Sequence, residues 1–519
     1  HLRGQTKERI QMSNKNDLKL NALFYLFLLI IVGIRLYIYF TYNLKIIDTD
    51  QAYMWLGATD FSQGHFYEPR YYGQDYNTFM EALLASTLLH FNFKVYQILP
   101  LVTSFLSLFP YLFMAVYLFL KNRKIYALMV LSILICLPAQ YDFMNTLPRG
   151  FVCGLFFTSF FILSIIDPRN LFLLFLNTVL AILAYYVNQN SILVSVPFLF
   201  YIFLIHFKHK TYYYVSGTAL LTAYPVDLFF NAFYRAHPDY ICQSTFNVFA
   251  PKYFIQSISH LDERFQHISF FIPNQSYTLL LGFLILGFML YQHNKKAFWS
   301  FILFVFILLC SFFASKISDG STWVFMSYSR MFLGIPILIC LLLVSMQFQS
   351  KKLNWFLVCI PLVFSVYKST NLKSELDKED IRDIARGVRV LSIESTKQMT
   401  QFYKDECHKN ACNFLLVSST FWLNTIISSA GPALYTDYPE TEETRFEKRY
   451  WVRNKNKNRL IPQFVFLSSD YDLDKLITAN TGFELKRLDD YGLFLVTHNQ
   501  LKMGQFIETI NAIEPGLND

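Results

Sequence analysis

The chain has 519 residues, of which 54% are hydrophobic, 18% aromatic and only 16% charged. A water-soluble globule of this length needs far more polar surface, so that class is excluded. The net charge of +8 comes as short Lys/Arg clusters between apolar runs, which is the pattern of the positive-inside rule and not of a nucleic-acid surface.

Residues 1 to 11 are polar and unpatterned, and Met12 begins a stretch that reads as a membrane-protein opening, so the first eleven are set aside from fold reasoning. Residues 1–20 then form a cytoplasmic tail. The apolar segment from Leu23 to Phe40 carries no small-residue cleavage site and reads as a retained first span. Further apolar runs follow near 95–120, 125–138, 151–166, 171–187, 191–206, 213–230, 277–292, 297–314, 331–348 and 353–368. With the first run they make about eleven spans at the length a bilayer requires.

Charge tests that count. With the N-terminus inside, the inner loops hold Lys121, Arg123 and Lys124, then Arg169, Lys208 and Lys210, Lys295 and Lys296, and Lys351 and Lys352. Every inner loop is basic, and the outer loops that carry bases also carry acids. The spans and their loops make one region, 21–368. An odd count places residues 369–519 outside, where charge returns. There LKSELDKEDIRDIARGVRVLSIES has helical spacing. NFLLVSSTFWLNTII, PQFVFLSS and GLFLVTH read as buried strands, and Gly431-Pro432 as a turn. The expected fold is an α-helical multispan membrane protein with a C-terminal extracytoplasmic α/β domain.

Cys136, Cys153, Cys310, Cys340 and Cys359 fall in apolar runs and read as packing residues. Cys407 and Cys412 lie in a polar outer stretch. A local disulfide and two free thiols are both open there, and the spacing is too sparse for zinc.

Four outer segments face one compartment: 42–94, 139–150, 231–276 and 315–330. The first is the richest. Asp48 and Asp50 stand where the first span leaves the bilayer, a costly place for carboxylates unless they pair, hydrate or react. Tyr71, Tyr72 and Gln74 follow, then TFMEALLASTLLHF, which is too short to span and fits a helix lying on the interface. Asp142, Arg149, Arg264, Lys316, Trp323 and Arg330 sit in the other three segments. A carboxylate can take a proton from an acceptor group, and cations can hold a departing phosphate. The bland readings are a solvated acid at a helix exit, interfacial arginines that snorkel, and an aromatic belt. The D-x-D triplet Asp48–Asp50 is also a weak signature for a divalent cation.

The stretches D-Q-A-Y (50–53) and YYGQDYNTFMEALLAS (71–86) resemble the GT-C superfamily of polyprenyl-phosphate-sugar-dependent glycosyltransferases. The resemblance is to bacterial relatives of the protein mannosyltransferases and the aminoarabinose transferase of lipid A. The motif covers about forty residues, and the span pattern with an outer C-terminal domain extends it loosely. The resemblance implies a membrane transferase that moves a sugar from a polyprenyl-phosphate donor to a glycan, lipid or protein acceptor. Transfer would invert the anomeric carbon on the outer face of a bacterial inner membrane.

By this resemblance Asp50 is the catalytic base, Glu81 matches a position in the following helix and Arg330 lies near the lipid phosphate. The residues themselves suggest Asp48 as support for the base, and Tyr72, Gln74, Asp142, Arg149 and Lys316, with Glu81 and Arg330, as groups that bind substrate or shape its cleft. No cofactor and no bound metal are implied, and membrane lipid is the surrounding partner. Gln51 stands where many members carry Glu, and Asn77 where Gly is common. A flippase for a lipid-linked sugar, or a glycan polymerase using the 231–276 loop, is the competing expectation.

Overall fold

A computed structural model describes residues 2–241, 248–272, 275–346, 356–385, 390–419, 421–444, 447–468, 482–489, 492–498 and 501–513. Lys351 and Lys352, the last inner basic cluster expected from sequence, lie outside them. The chain divides into two compact units. One holds residues 1–40, 103–228 and 245–382; the other holds 41–102, 229–244 and 383–519.

The first unit is helical. Among the described residues five helical segments are long and apolar enough to cross a membrane: Asp17–Asn43, Val95–Leu120, Gln189–His206, Ser276–His293 and Tyr328–Ser345. This is compatible with a membrane protein and is fewer than the eleven runs expected. The other runs form helices that are shorter or less apolar. Lys124–Ile135 stops ahead of Pro138, whose ring disfavours helical backbone just before it. The 151–166 run breaks into Cys153–Thr158 and Phe161–Ile166. Lys210–Ala236 is long but carries Pro225 and many polar residues. Leu2–Ile38 is helical throughout, so it takes in the polar residues set aside above.

A buried ion triad braces this unit. Arg35 Nε lies 3.0 Å from Asp142 Oδ1, and Lys368 pairs with the other carboxylate oxygen of Asp142. Lys368 Nζ also donates to the Leu137 carbonyl at 2.8 Å, and Arg35 Nη1 to Ser107 Oγ at 3.1 Å. Charges this deep persist only when paired and hydrogen-bonded.

The second unit contains the sheet. β1 (Ile46–Asp48) pairs antiparallel with β2 (Val390–Ser392). β3 (Phe414–Ser418), β4 (Glu440–Glu443), β5 (Gln463–Ser468), β6 (Glu484–Arg487) and β7 (Leu493–Thr497) form a sheet of order β4-β3-β5-β7-β6. β3 runs parallel to β4 and β5, while β7 is antiparallel to β5 and β6. Side chains alternate across the strands. Phe414, Leu416, Phe464, Phe466, Phe494 and Val496 pack on Met503, Phe506 and Ile510 of the helix Met503–Ile513. Leu415, Val417, Val465 and Leu467 face Cys407 and Ile427 on the other side.

Two expectations need correction here. Of NFLLVSSTFWLNTII only Phe414–Ser418 is strand, and Phe421–Leu434 is helix. The Gly431-Pro432 pair lies inside that helix and makes no turn. Gly431 is there because the Tyr438 ring occupies the space a Cβ would need, 2.3 Å away.

Candidate active site

Asp48 ends β1 and caps the helix Thr49–Ser62. Its Oδ1 accepts the Gln51 N–H at 2.9 Å. An acid at an N-cap satisfies a helix donor that would otherwise have no partner, and complements the dipole. Asp48 is buried, whereas Asp50, two residues on in the first turn, keeps partial access to the surface. The two carboxylates of the triplet therefore differ in environment.

The helix 49–62 is buried on nearly every side. Within this unit it packs on Met80–Leu89 and on the helix 421–434. The tyrosine-rich loop folds back over it. Tyr71 Oη donates to the Asp50 carbonyl at 2.6 Å, and Tyr72 Oη donates to Asp60 Oδ2 at 2.6 Å. Gly73 N–H donates to Glu68 Oε1 at 3.0 Å, and Gln74 N–H to the Tyr71 carbonyl at 2.8 Å. Tyr71 stacks on Phe79 with centroids 4.7 Å apart, and Tyr72 meets the same ring edge-on at 4.4 Å. Glu81 is fully buried in the first turn of 80–89, where Leu83 and Leu84 remain exposed. An exposed apolar face suits a helix lying on an interface.

The loop is completed by a segment that the sequence reading left unassigned, 440–453. Trp451 stacks on Tyr67 at 4.5 Å and meets Tyr72 edge-on at 4.7 Å. Lys448 Nζ lies 5.2 Å from the centre of the Tyr53 ring. Beside it, Arg449 is buried and forks onto Glu447, Nε to Oε1 and Nη2 to Oε2, both at 2.8 Å. The same guanidinium donates to the Ser428 and Thr441 carbonyls. Glu443 accepts from Ser428 Oγ at 2.6 Å. Such bidentate pairs are among the strongest polar contacts. The only hint in the sequence was the charge density of TEETRFEKRYW inside a segment that otherwise reads as core.

Several acids here hold their protons unusually well. Burial pushes Asp60 up to about 6, opposed by its bond from Tyr72. Burial pushes Glu68 up to about 8, against the bonds from Gly73 and Tyr234. Glu443 is also raised, by burial and by the charge of Glu447. Asp60, Glu68 and Glu443 were missed in sequence because an acid reads the same whether its side chain is solvated or buried.

The remaining candidates belong to the first unit. Asp142 is the centre of the ion triad, held by Arg35 and Lys368, so its carboxylate supports the helices and is not presented to a substrate. Arg149 is buried with its guanidinium 5.9 Å from the Phe151 ring and 5.8 Å from that of Phe325. Lys316 and Arg330 come together on Asp319, at 3.4 and 3.8 Å. Arg330 also donates to the carbonyls of Asp319, Met326 and Ser327. Arg264 lies over the Tyr328 ring at 3.8 Å and donates to the Ile317 carbonyl. Segment 315–330 is thus a cationic turn built around one acid.

Among the described residues no group of three His, Cys, Asp or Glu side chains converges to hold a metal ion. No protein-family model, no curated protein and no solved structure matches the chain.

Proposed function

We propose that the protein is a membrane glycosyltransferase that moves a sugar from a polyprenyl phosphate to an acceptor on the outer face of a bacterial inner membrane. The observation that supports the reading best is the contrast within the triplet. Asp48 caps the helix, while Asp50 keeps partial access to the surface on a helix buried on nearly every side. A base must be accessible to its substrate and held in place.

In the proposed step Asp50 takes the proton from an acceptor hydroxyl or amine. The freed electron pair attacks the anomeric carbon from the face opposite the phosphate. The carbon–oxygen bond to phosphate breaks, and the polyprenyl phosphate leaves with that bonding pair, so the anomeric configuration inverts. A departing phosphate needs cations to offset its growing charge, the role the sequence suggests for Lys316, Arg330 and Arg149. Tyr72, Gln74 and Glu81 shape the loop around the base. The full set of about eleven spans, with the C-terminal domain outside, belongs to this proposal.

The test is release of free polyprenyl phosphate from a panel of polyprenyl-phosphate sugars, with acceptor-containing membrane extract, in nanodiscs. Release by the wild type that vanishes in Asp50→Asn and survives EDTA is the expected result. No release from any donor would overturn the reading in favour of a flippase or polymerase.

A further inference from the structure

The helix Ile393–Lys409 ends in a tight cap. The Cys412 N–H donates to the Cys407 carbonyl at 2.8 Å, and the Ala411 N–H to the His408 carbonyl at 3.0 Å. These nested bonds, six-to-one outside five-to-two, define a Schellman cap. Its left-handed position is held by Ala411, with φ of +52°. Glycine is the usual occupant there, because a Cβ makes this backbone costly. Something must hold Ala411 in place.

A Schellman cap has a second property. The side chains of the two residues joined by the outer bond frequently pack together. Here both are cysteines. Cys407 and Cys412 are buried in the same cluster, beside Leu415, Val417 and Ile427. They are free thiols in this structure. A disulfide needs Cα atoms about 4.4–6.8 Å apart, a range that a direct backbone hydrogen bond between the two residues satisfies.

We infer that Cys407 and Cys412 are a thiol–disulfide site, whose oxidised form locks the cap of this helix. The oxidant is an external disulfide. While the chain is folding, the Cys412 thiolate displaces one thiol from the external disulfide, giving a mixed disulfide. The Cys407 thiolate then attacks the Cys412 sulfur and expels the second thiol. Two protons and two electrons end on the two released thiols. Burial raises the pKa of both cysteines, which slows exchange in the finished fold. The bond therefore closes during folding, before the cluster seals. The inference is independent of the transfer reaction, and it places this domain in an oxidising compartment.

The test uses the full chain in membranes, unfolded directly into N-ethylmaleimide and digested with trypsin without reductant. Cleavage after Lys409 falls between the two cysteines. A disulfide therefore ties peptide 405–409 to the peptide that begins at Asn410, and reductant separates them. Recovery of both peptides carrying maleimide would overturn the inference. A second measurement compares thermal midpoints. Reductant should lower that of the wild type by about 4–8 °C. The Cys407→Ser/Cys412→Ser variant should start low and ignore reductant, and Ala411→Gly added to it should restore part of the loss. A wild type indifferent to reductant would equally overturn the inference.

Discussion

Asp48 and Asp50 are two residues apart and chemically identical, yet their surroundings divide their roles. If Asp48 acts through its cap, Asn serves nearly as well, because its side-chain oxygen accepts the same Gln51 N–H. Asp48→Asn is then expected to keep most of the transfer rate, and Asp48→Ala to lose about 1 kcal/mol of stability. Asp50→Asn is expected to keep the thermal midpoint and lose the rate by a factor of about 10²–10⁴, the usual share of a general base. Parallel measurement of rate and midpoint for the three variants decides this. An Asp48→Asn enzyme as dead as Asp50→Asn would mean that both carboxylates act in the chemistry.

The buried acids make a prediction of opposite sign to the familiar salt-bridged carboxylate. The pKa of Glu68 rises from 4.5 to about 8, and that of Asp60 from 3.8 to about 6. Below the ordinary carboxylate range both states are protonated, and the stability these neutral acids contribute is fully present. As pH rises, the unfolded chain ionises first, while the fold keeps its protons or buries charges. Stability contributed by the neutral acids is therefore lost between about pH 4 and 8. The thermal midpoint is expected to fall across that window, and less steeply in Glu68→Gln. A midpoint that rises from pH 5 to 8 in the wild type would contradict these environments.

At the scale of elements, the loop over the helix 49–62 turns on Gly73. Its φ is +71°, and a Cβ there would sit 2.9 Å from Lys448 Cβ. Gly64 has φ of +80° but faces open space. The backbone cost is shared and the clash is not. Gly73→Ala is expected to destabilise by about 1–3 kcal/mol and Gly64→Ala by about 1 kcal/mol. Denaturant titration of the two variants reads the difference. Equal losses would show that Lys448 yields without cost.

Legibility differs sharply between these elements. The grouping of Tyr71, Tyr72 and Gln74 could be read in advance because these residues are near neighbours in sequence. So could the short helix 80–89, from the length of its apolar run. The packing of Trp451 on Tyr67 and Tyr72, and the burial of Arg449, could not. The partners of Trp451 lie hundreds of positions away. Those of Arg449 are near in sequence, but a charged segment looks the same whether it is solvated or locked. The strand expected after Ser418 failed for a related reason. An apolar run rich in Ile, Phe and Trp suits a buried helix as well as a strand.

At the scale of the whole molecule, hydropathy carried the reading furthest, since it is a sum over many side chains and tolerates local error. Its finer count is not matched run for run among the described residues, because a run of apolar residues need not be one unbroken helix. What remains exposed is a further guide. Leu284 and Phe288 on 276–293, Phe306 on 295–311, and Val363 and Val366 on 356–385 all face outward. Water would penalise so much exposed apolar surface, and lipid would not. Cys310 and Cys359 are exposed on two of these helices and report on the difference. In membrane fragments open on both sides, with the other cysteines replaced by Ser, neither is expected to react with a water-soluble maleimide. Both should react once detergent unfolds the chain. A cysteine placed at exposed Gln63 should react throughout. Rapid labelling of Cys310 or Cys359 in intact fragments would mean that its helix borders water, and the count of spans would fall by that helix.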